Sequence, residues 1–284
     1  MFKIYYQLTK PGIIYGNAIT TIAGFFLASR GHMNWRLLLA TLVGLSLVIA
    51  SACVFNNLYD RDIDRKMERT RSRALVTGSI SKTNAIIFGI VLIFLGAFVL
   101  RFHTNTRALL AALFGFFVYV FAYTPLKHRS VHATLVGAIA GAVPPVVGYT
   151  AVTNRFDLAA LLLFLILVAW QMPHFYAIAI RRLDEYRSAG IPVLPVQKGI
   201  AVTKINILLY IVAFIIATTL LTLFGFAGYI YLVVMLLFGL IWLTVCIQGF
   251  RANNNDSVWA RNMFKFSLVV LLVFSVAISI NAII

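Results

Sequence analysis

The sequence predicts an all-α membrane protein, a bundle of about nine transmembrane helices. Of the 284 residues, 62% are hydrophobic and 11% are charged, whereas soluble domains are about 45–50% apolar and about 25% charged. A bilayer-spanning helix uses about 20 apolar residues, so this content suffices for roughly nine spans. The apolar runs are continuous rather than alternating, which argues against an outer-membrane barrel. A soluble enzyme, a disordered chain and a protein with a single anchor are excluded.

Taken in chain order, the apolar runs give nine predicted spans separated by polar connectors. Each run is long enough to cross the hydrocarbon core as a helix. The runs cover residues 13–29, 37–57, 84–100, 108–124, 132–152, 158–179, 205–224, 229–250 and 264–284. Two connectors are long, 58–83 and 180–204, and the whole chain, 1–284, is expected to form a single transmembrane domain.

The distribution of basic residues predicts the orientation in the membrane. The net charge is +16, from 24 Lys and Arg against 8 Asp and Glu. With a cytoplasmic N-terminus, 19 of the 24 basic residues lie on the cytoplasmic side, and the other five are Arg30, Arg36, Arg101, Arg107 and Arg155. Cytoplasmic loops of membrane proteins collect Lys and Arg, so the positive charge needs no nucleic-acid partner. We expect a multi-pass protein of the cell (inner) membrane with its C-terminus on the outer side.

The end of the second span carries a stripe of oxygen ligands. Asn56, Asp60 and Asp64 are spaced by four residues, and each such step on a helix turns the side chain by a net angle of about 40°. The three side chains therefore share one face, which we call the oxygen stripe, whereas Asp62 points away. Amide and carboxylate oxygens suit Mg²⁺, which shares its remaining coordination with substrate phosphates. These residues are the candidate metal ligands and catalytic residues.

A basic run follows the oxygen stripe and includes Lys66, Arg69 and Arg73. The arginine guanidinium group fits phosphate oxygens in a bidentate manner. A carboxylate stripe followed by such a run indicates a metal–diphosphate site. The alternative is a solvated helix end on which acids and bases pair with one another.

Two further connectors on the same side carry candidate ligands. After the fourth span, Lys127, His128, Arg129 and His132 could reach a diphosphate or a propionate, or all four could anchor lipid headgroups. The sixth span contains His174 beside Pro173 and ends near Arg181, another candidate for the diphosphate. A histidine at membrane depth is usually functional, although a hydrogen-bonded core histidine is the alternative.

The last third of the chain, residues 205–284, is almost entirely apolar, and the only charge within its predicted spans is Lys265, at the start of the ninth. We interpret it as scaffold and as an apolar wall for an isoprenoid chain. No single residue in it is predicted to be functional.

Several segments together resemble one family. They read TKPGIIYGN, NNLYDRDIDRKMERTRSRAL, YTPLKHRSVHATLVG, PPVVGY, WQMPHFYAIAI and IPVLP. The chain resembles the protohaem IX farnesyltransferases, a branch of the UbiA-type intramembrane prenyltransferases. The NxxxDxxxD stripe is typical of the superfamily, and the WQMPHF and TPLKxRxVH strings are similar to its haem branch. One departure is the lack of a second DxxxD stripe after the sixth span, which many superfamily members carry.

The resemblance implies a bundle whose central pocket opens toward the cytoplasmic side. It implies transfer of a farnesyl group from farnesyl diphosphate to the 2-vinyl group of haem B, with addition of water, giving haem O and diphosphate. Asn56, Asp60 and Asp64 would hold Mg²⁺ against the diphosphate, and Lys66, Arg69 and Arg73 would steady it. A haem A synthase or a terminal oxidase is a partner by family analogy only.

Several points stay open at the level of sequence. His174 or His132 could contact the haem, with His174 ranked first, and either could instead act as a base. The nearest alternative function is a UbiA-type enzyme that prenylates an aromatic quinone precursor, which would share the oxygen stripe. The alternative from another class is a secondary transporter, which would carry charges near the membrane midplane.

Overall fold

The computed structural model describes residues 2–251 and 255–281, and these ranges contain helices and turns but no β-strand. Within them, nine helices are long and apolar enough to cross a membrane. We number these helices α1 (Pro11–Ser29), α2 (Trp35–Asp64), α3 (Lys82–His103), α4 (Thr106–Leu126), α5 (Ala133–Thr153), α6 (Leu158–Arg181), α7 (Leu194–Leu223), α8 (Tyr229–Gln248) and α9 (Asp256–Ile280).

The nine predicted spans correspond one to one with α1–α9, which confirms the helical fold class. Residues 282–284 of the ninth predicted span lie outside the described residues. Three boundaries differ from the prediction by seven residues or more, and one of them is the start of α9, at Asp256 rather than 264. Helix α2 continues to Asp64 instead of ending at 57, because Asp60 and Asp64 in its last two turns face the protein interior and not water. Helix α7 begins at Leu194, and Gly199, with φ 82°, interrupts its helical backbone.

Three short helices lie outside the spans: Phe2–Leu8, Ala74–Thr77 and Leu183–Ser188. The first precedes α1, and the other two lie in the long connectors. The N-terminus of α1 is set by Pro11 at its first helical position, where the missing N–H costs no hydrogen bond.

Prolines and a π-helical segment shape the middle helices. Helix α5 consists of Ala133–Gly141 and Val143–Thr153, divided at Ala142 just before two prolines that cannot donate backbone hydrogen bonds. Helix α4 widens into a π-helical segment at Val118–Tyr123, close to Pro125. Helix α6, by contrast, runs through Pro173 to Arg181.

The tightest helix contact joins α1 and α5. A Cβ atom placed on Gly24 would lie 2.0 Å from the carbonyl oxygen of Pro145, and one on Gly148 would lie 2.0 Å from that of Thr21. Only glycine permits this approach of two backbones, as is common between membrane helices. Helix α9 packs against both α6 and α1, which closes the bundle around its interior.

The outer faces of the helices are apolar. Large side chains such as Phe94, Leu209 and Val233 are 71%, 60% and 65% exposed, as expected for surfaces that contact lipid rather than water. The end of α2 and the residues that precede α1 and follow α4 and α6 meet at one end of the bundle, which we call the polar end. One cavity is lined by a residue from each of these positions: Asp64 at the end of α2, Lys10 before α1, Lys127 after α4 and Arg182 after α6.

Candidate active site

A cavity of about 900 Å³ opens into the bundle from the polar end. Its lining includes both Asp64 and Leu45, nineteen residues apart on α2. At a rise of 1.5 Å per residue, these positions are separated by about 28 Å along the helix axis. The cavity is therefore charged at its outer end and lined mainly by apolar side chains in the interior, which suits a ligand with a charged head and a long apolar body.

The oxygen stripe lies along this cavity. Asn56, Asp60 and Asp64 are 2%, 3% and 5% exposed, and all three line the cavity. The Asp62 side chain, by contrast, is 77% exposed and pairs with Arg61. The three oxygen-bearing side chains thus share one face of α2, as the spacing by four residues predicts.

Each member of the oxygen stripe contacts a basic residue from a different segment. Lys10, just before α1, donates a hydrogen bond to Asn56 Oδ1, and Lys127, just after α4, donates one to Asp60 Oδ2. The Arg73 guanidinium lies 2.5 Å from Asp64 Oδ2. The three cations outnumber the two carboxylates, so this end of the cavity attracts anions.

Additional polar groups complete the polar end. His128 Nε2 lies 3.2 Å from Asp60 Oδ1, and Arg69, Arg181 and Arg182 also line the cavity. Tyr186, on the short helix Leu183–Ser188, lines it as well, and burial raises the pKa of its hydroxyl above the usual value for tyrosine.

The two lysines at the polar end carry their charges in a poorly solvated position. Burial lowers the pKa of Lys10 to about 8 and also lowers the pKa of Lys127, although the Asp60 carboxylate opposes the change at Lys127. A lysine with a pKa of about 8 is still largely protonated at pH 7. Because water shields these charges poorly, each of them acts more strongly on a bound anion than a surface lysine does.

The π-helical segment of α4 contributes to the position of Lys127. Thr124 Oγ1 donates a hydrogen bond of 2.8 Å to the carbonyl oxygen of Tyr119, and Asn56 Nδ2 donates one of 3.1 Å to Thr124 Oγ1. The end of α4 is thereby linked to the oxygen stripe, three residues before Lys127. π-Helical turns occur frequently at functional sites, where they reorient the helix surface.

The donor set of the oxygen stripe fits Mg²⁺. Two carboxylates and one amide oxygen are hard ligands, and Mg²⁺ commonly takes one or two protein carboxylates and completes its coordination with water and phosphate. Within residues 2–251 and 255–281, no cluster of three or more His, Cys, Asp or Glu offers an alternative metal site. Among the described acidic residues, Asp60 and Asp64 alone line the cavity, and Asp184 and Glu185 pair with Arg187 and Arg182 instead.

The structure separates the predicted diphosphate ligands into two groups. Arg69, Arg73, Lys127 and Arg181 line the cavity. Lys66 and Arg129 are exposed and do not belong to its lining. Neighbouring residues on a turn point in different directions, so sequence proximity to the oxygen stripe does not guarantee contact with the cavity.

The two candidate haem ligands are also separated. His174 lines the interior part of the cavity, whereas His132 is exposed at the start of α5 and lies outside the lining. His174 Nδ1 lies 2.8 Å from Ser267 Oγ on α9. Its ring stacks on Trp170, with ring centroids 4.9 Å apart, and packs against Phe264.

Sequence reasoning missed several residues that the cavity brings together. Lys10 entered it only in the count of basic residues, although it immediately precedes the proline that starts α1. Arg182 entered it only as a member of a charged connector. Ser267 lies in the last third of the chain, where no residue was expected to be functional. No sequence signal marks Ser267, because serine is common in membrane helices and its partner lies 93 residues away.

A helical membrane bundle whose cavity joins a magnesium-type oxygen stripe to a cluster of lysines and arginines defines an intramembrane enzyme that acts on a diphosphate ester. Comparison with known proteins identifies the family. Residues 17–269 match the model of the UbiA prenyltransferase family, and the chain belongs to that family.

Curated relatives align with nearly the whole chain. A protoheme IX farnesyltransferase of Sodalis glossinidius is 51% identical over 282 residues, which are 99% of this chain and 95% of the relative. A protoheme IX farnesyltransferase of Protochlamydia amoebophila is 50% identical over 278 residues, 98% of each chain.

Solved structures agree with the fold. A digeranylgeranylglyceryl phosphate synthase superposes with a TM-score of 0.84 at 19% identity, covering 99% of this chain and 98% of that one. A UbiA homologue from Archaeoglobus fulgidus, bound to GPP and Mg²⁺, gives a TM-score of 0.72 at 17% identity, covering 97% of this chain and 99% of that one. At such identities the likeness establishes the fold alone.

Proposed function

We propose that this protein transfers the farnesyl group of farnesyl diphosphate to the 2-vinyl group of haem B, giving haem O and diphosphate. The observation that carries the proposal is the composition of the cavity. One continuous cavity joins the oxygen stripe and its cations at the polar end to an interior that contains His174. The names of the curated relatives support the same reaction.

The polar end would bind the diphosphate. Asn56, Asp60 and Asp64 would hold Mg²⁺, which supplies Lewis-acid polarisation of the phosphate oxygens when bound. Lys127, Arg73 and Arg69 bring positive charge to the same end of the cavity. When the bond between C1 of the farnesyl group and the diphosphate oxygen breaks, these cations stabilise the negative charge that develops on the leaving group.

The interior would protect the reactive carbon. Leu45, Val48, Phe116 and Leu167 line it with apolar surface, which excludes water from the allylic cation until the vinyl group attacks. The terminal vinyl carbon then forms a bond to C1. A water oxygen adds to the other vinyl carbon and releases one proton, which balances the reaction.

We place the macrocycle of haem B beside His174 rather than His132. His174 lies in the interior, within the same cavity as the oxygen stripe, and His132 lies outside it. A neutral imidazole is a common axial ligand of haem iron. His174 therefore serves as the haem contact in this proposal.

The basic polar end would face the cytoplasm of the cell (inner) membrane by the positive-inside rule, with the N-terminus inside and the C-terminus outside. The whole chain would work as one catalytic unit, and its product would pass to a haem A synthase or a terminal oxidase.

A direct assay tests the reaction. The protein, purified into lipid nanodiscs, is incubated with haem B, farnesyl diphosphate and Mg²⁺, and the porphyrins are analysed by mass. We expect a product heavier than haem B by one farnesyl group and one hydroxyl group. A parallel incubation with 4-hydroxybenzoate in place of haem B tests the alternative substrate class. Prenylation of the hydroxybenzoate without haem O formation would overturn the proposal in favour of a quinone-type enzyme.

A further inference from the structure

Helices α6 and α9 meet in the interior of the cavity through a set of hydrogen bonds centred on Ser267. Ser267 is fully buried. Its Oγ lies 2.8 Å from His174 Nδ1 and 2.6 Å from the carbonyl oxygen of Phe264. Its own carbonyl oxygen accepts a hydrogen bond of 2.7 Å from Trp170 Nε1. One residue of α9 thus contacts two aromatic side chains of α6.

The hydrogen positions in this set follow from chemistry. A carbonyl oxygen can only accept, so the single hydroxyl hydrogen of Ser267 is donated to the carbonyl of Phe264. Ser267 Oγ can then only accept from His174, and Nδ1 must carry the donated hydrogen. A neutral imidazole with its hydrogen on Nδ1 has a free lone pair on Nε2. No described residue forms a hydrogen bond with this second nitrogen, and His174 lines the cavity.

Packing fixes the orientation of the ring as well as its tautomer. Trp170 stacks on His174 with the two planes 23° apart, and the Phe264 ring lies 5.0 Å away at 35°. Because both neighbours are large and Trp170 is itself hydrogen-bonded to α9, rotation of the imidazole would disrupt several contacts at once. The Nε2 lone pair is therefore held in one direction.

The surroundings favour a ligand over a base. A base would become an imidazolium, and no carboxylate forms an ion pair with His174 among the described residues. A charge without a partner in an apolar interior is costly. The hydrogen on Nδ1 is donated to Ser267 Oγ, which in turn donates only to the carbonyl oxygen of Phe264, and a carbonyl oxygen is a poor proton acceptor. Coordination of a metal centre, by contrast, needs the neutral ring.

We propose that Ser267 is a positioning residue that holds His174 in the Nδ1–H tautomer, so that Nε2 binds the iron of the haem substrate as an axial ligand. This inference rests on the proposed function, since haem B is its ligand. It assigns a role to the last helix, and it follows the general rule that a metal-bound histidine donates its other N–H to an oriented acceptor.

The test uses the full chain in lipid nanodiscs with haem B. Four variants are compared with the wild type: Ser267→Ala, Ser267→Thr, His174→Ala and Ser275→Ala. Ser267→Thr keeps a hydroxyl group at the same position. Ser275 is a matched control, because it is buried on the same helix and its hydroxyl has no hydrogen-bond partner among the described residues. The readouts are the iron–histidine stretching band of the ferrous protein by resonance Raman spectroscopy and the Kd for haem B by optical titration.

We expect the band in the wild type and its loss in His174→Ala. In Ser267→Ala the band should shift and the Kd for haem B should rise by about 10- to 100-fold, while the KM for farnesyl diphosphate stays unchanged. Ser267→Thr should restore the wild-type band, and Ser275→Ala should resemble the wild type. If Ser267→Ala does not fold, Ser267→Cys, whose thiol is a weak acceptor, should give a smaller shift in the same direction.

A wild-type protein without the band, or a Ser267→Ala variant with an unchanged band and Kd, would overturn the inference. The proposed function is judged separately by haem O formation in the wild type. If the wild type forms haem O but the band in Ser267→Ala is unchanged, the proposed function stands and only the role of Ser267 is refuted. If the band shifts in Ser267→Ala but the wild type forms no haem O, the ligation of haem iron by His174 is supported and the proposed reaction is refuted.

Discussion

The Arg73 guanidinium lies 2.5 Å from the Asp64 carboxylate, nine residues earlier in the chain. The connector after α2 therefore folds back and places part of its basic run over the end of the oxygen stripe. A carboxylate and a guanidinium group side by side can serve the metal and the phosphate of one substrate. Lys127 at Asp60 and Lys10 at Asn56 likewise bring a cation to a side-chain oxygen of the stripe.

Removing one carboxylate charge from the oxygen stripe should nearly abolish turnover. Asp60→Asn and Asp64→Asn keep the side-chain volume, so the helix should still insert and fold. We expect kcat to fall by about 10²–10³-fold, the range observed when a preorganised electrostatic group is lost. Haem O formation by mass analysis is the measurement, with size-exclusion chromatography to check the fold.

Asp62→Asn is the matched control for these two variants. It makes the same chemical change on the same helix, but the Asp62 side chain is 77% exposed and points away from the cavity. Its activity should stay close to that of the wild type. Near-normal turnover in Asp60→Asn or Asp64→Asn would count heavily against the metal assignment.

Loss of the cation at position 127 should weaken diphosphate binding. Hydrogen bonds to charged groups contribute about 1.5–3 kcal/mol, which corresponds to roughly 10- to 100-fold in an equilibrium constant. Lys127→Met should therefore raise the KM for farnesyl diphosphate by about that factor. Arg129→Met, two residues further on and exposed outside the cavity, should leave KM unchanged. Equal effects of the two variants would indicate a general surface-charge effect instead.

Removal of the metal should affect the two substrates differently. EDTA should abolish haem O formation, and added Mg²⁺ should restore it, because in the proposed mechanism the ion links the oxygen stripe to the diphosphate. Haem B should still bind, since its proposed ligand lies in the interior. Optical titration with haem B in EDTA checks this difference. Full turnover in EDTA would contradict the metal-dependent mechanism.

The contact between α1 and α5 should tolerate no side chain larger than hydrogen. Gly148→Ala would place Cβ 2.0 Å from the carbonyl oxygen of Thr21, so the two backbones must move apart. Overpacking of this kind costs about 1–3 kcal/mol, and the thermal unfolding temperature should fall. Gly12→Ala is the control, because no atom lies within 4 Å of its Cβ. An unchanged unfolding temperature in Gly148→Ala would show that the contact is looser than described.

The sequence alone was sufficient for the spans and the oxygen stripe. Apolar length is a local property that the bilayer selects directly, so nine runs predict nine helices. The spacing of Asn56, Asp60 and Asp64 fixes a common face through the geometry of a single helix. The predicted end of α2 was seven residues too early, because polar side chains suggest a helix end in water, whereas Asp60 and Asp64 face a cavity.

Only the tertiary structure decided which other residues join the oxygen stripe. Lys10 and Asn56 are 46 residues apart, and Ser267 and His174 are 93 apart. Whether Lys127 or Arg129 reaches the cavity depends on how α4 ends and packs, not on composition. Such contacts arise where distant helices meet, and no local periodicity encodes which faces come together. The sequence determined the membrane bundle and its oxygen stripe, and the packing of the helices determined the partners of that stripe and the direction of His174.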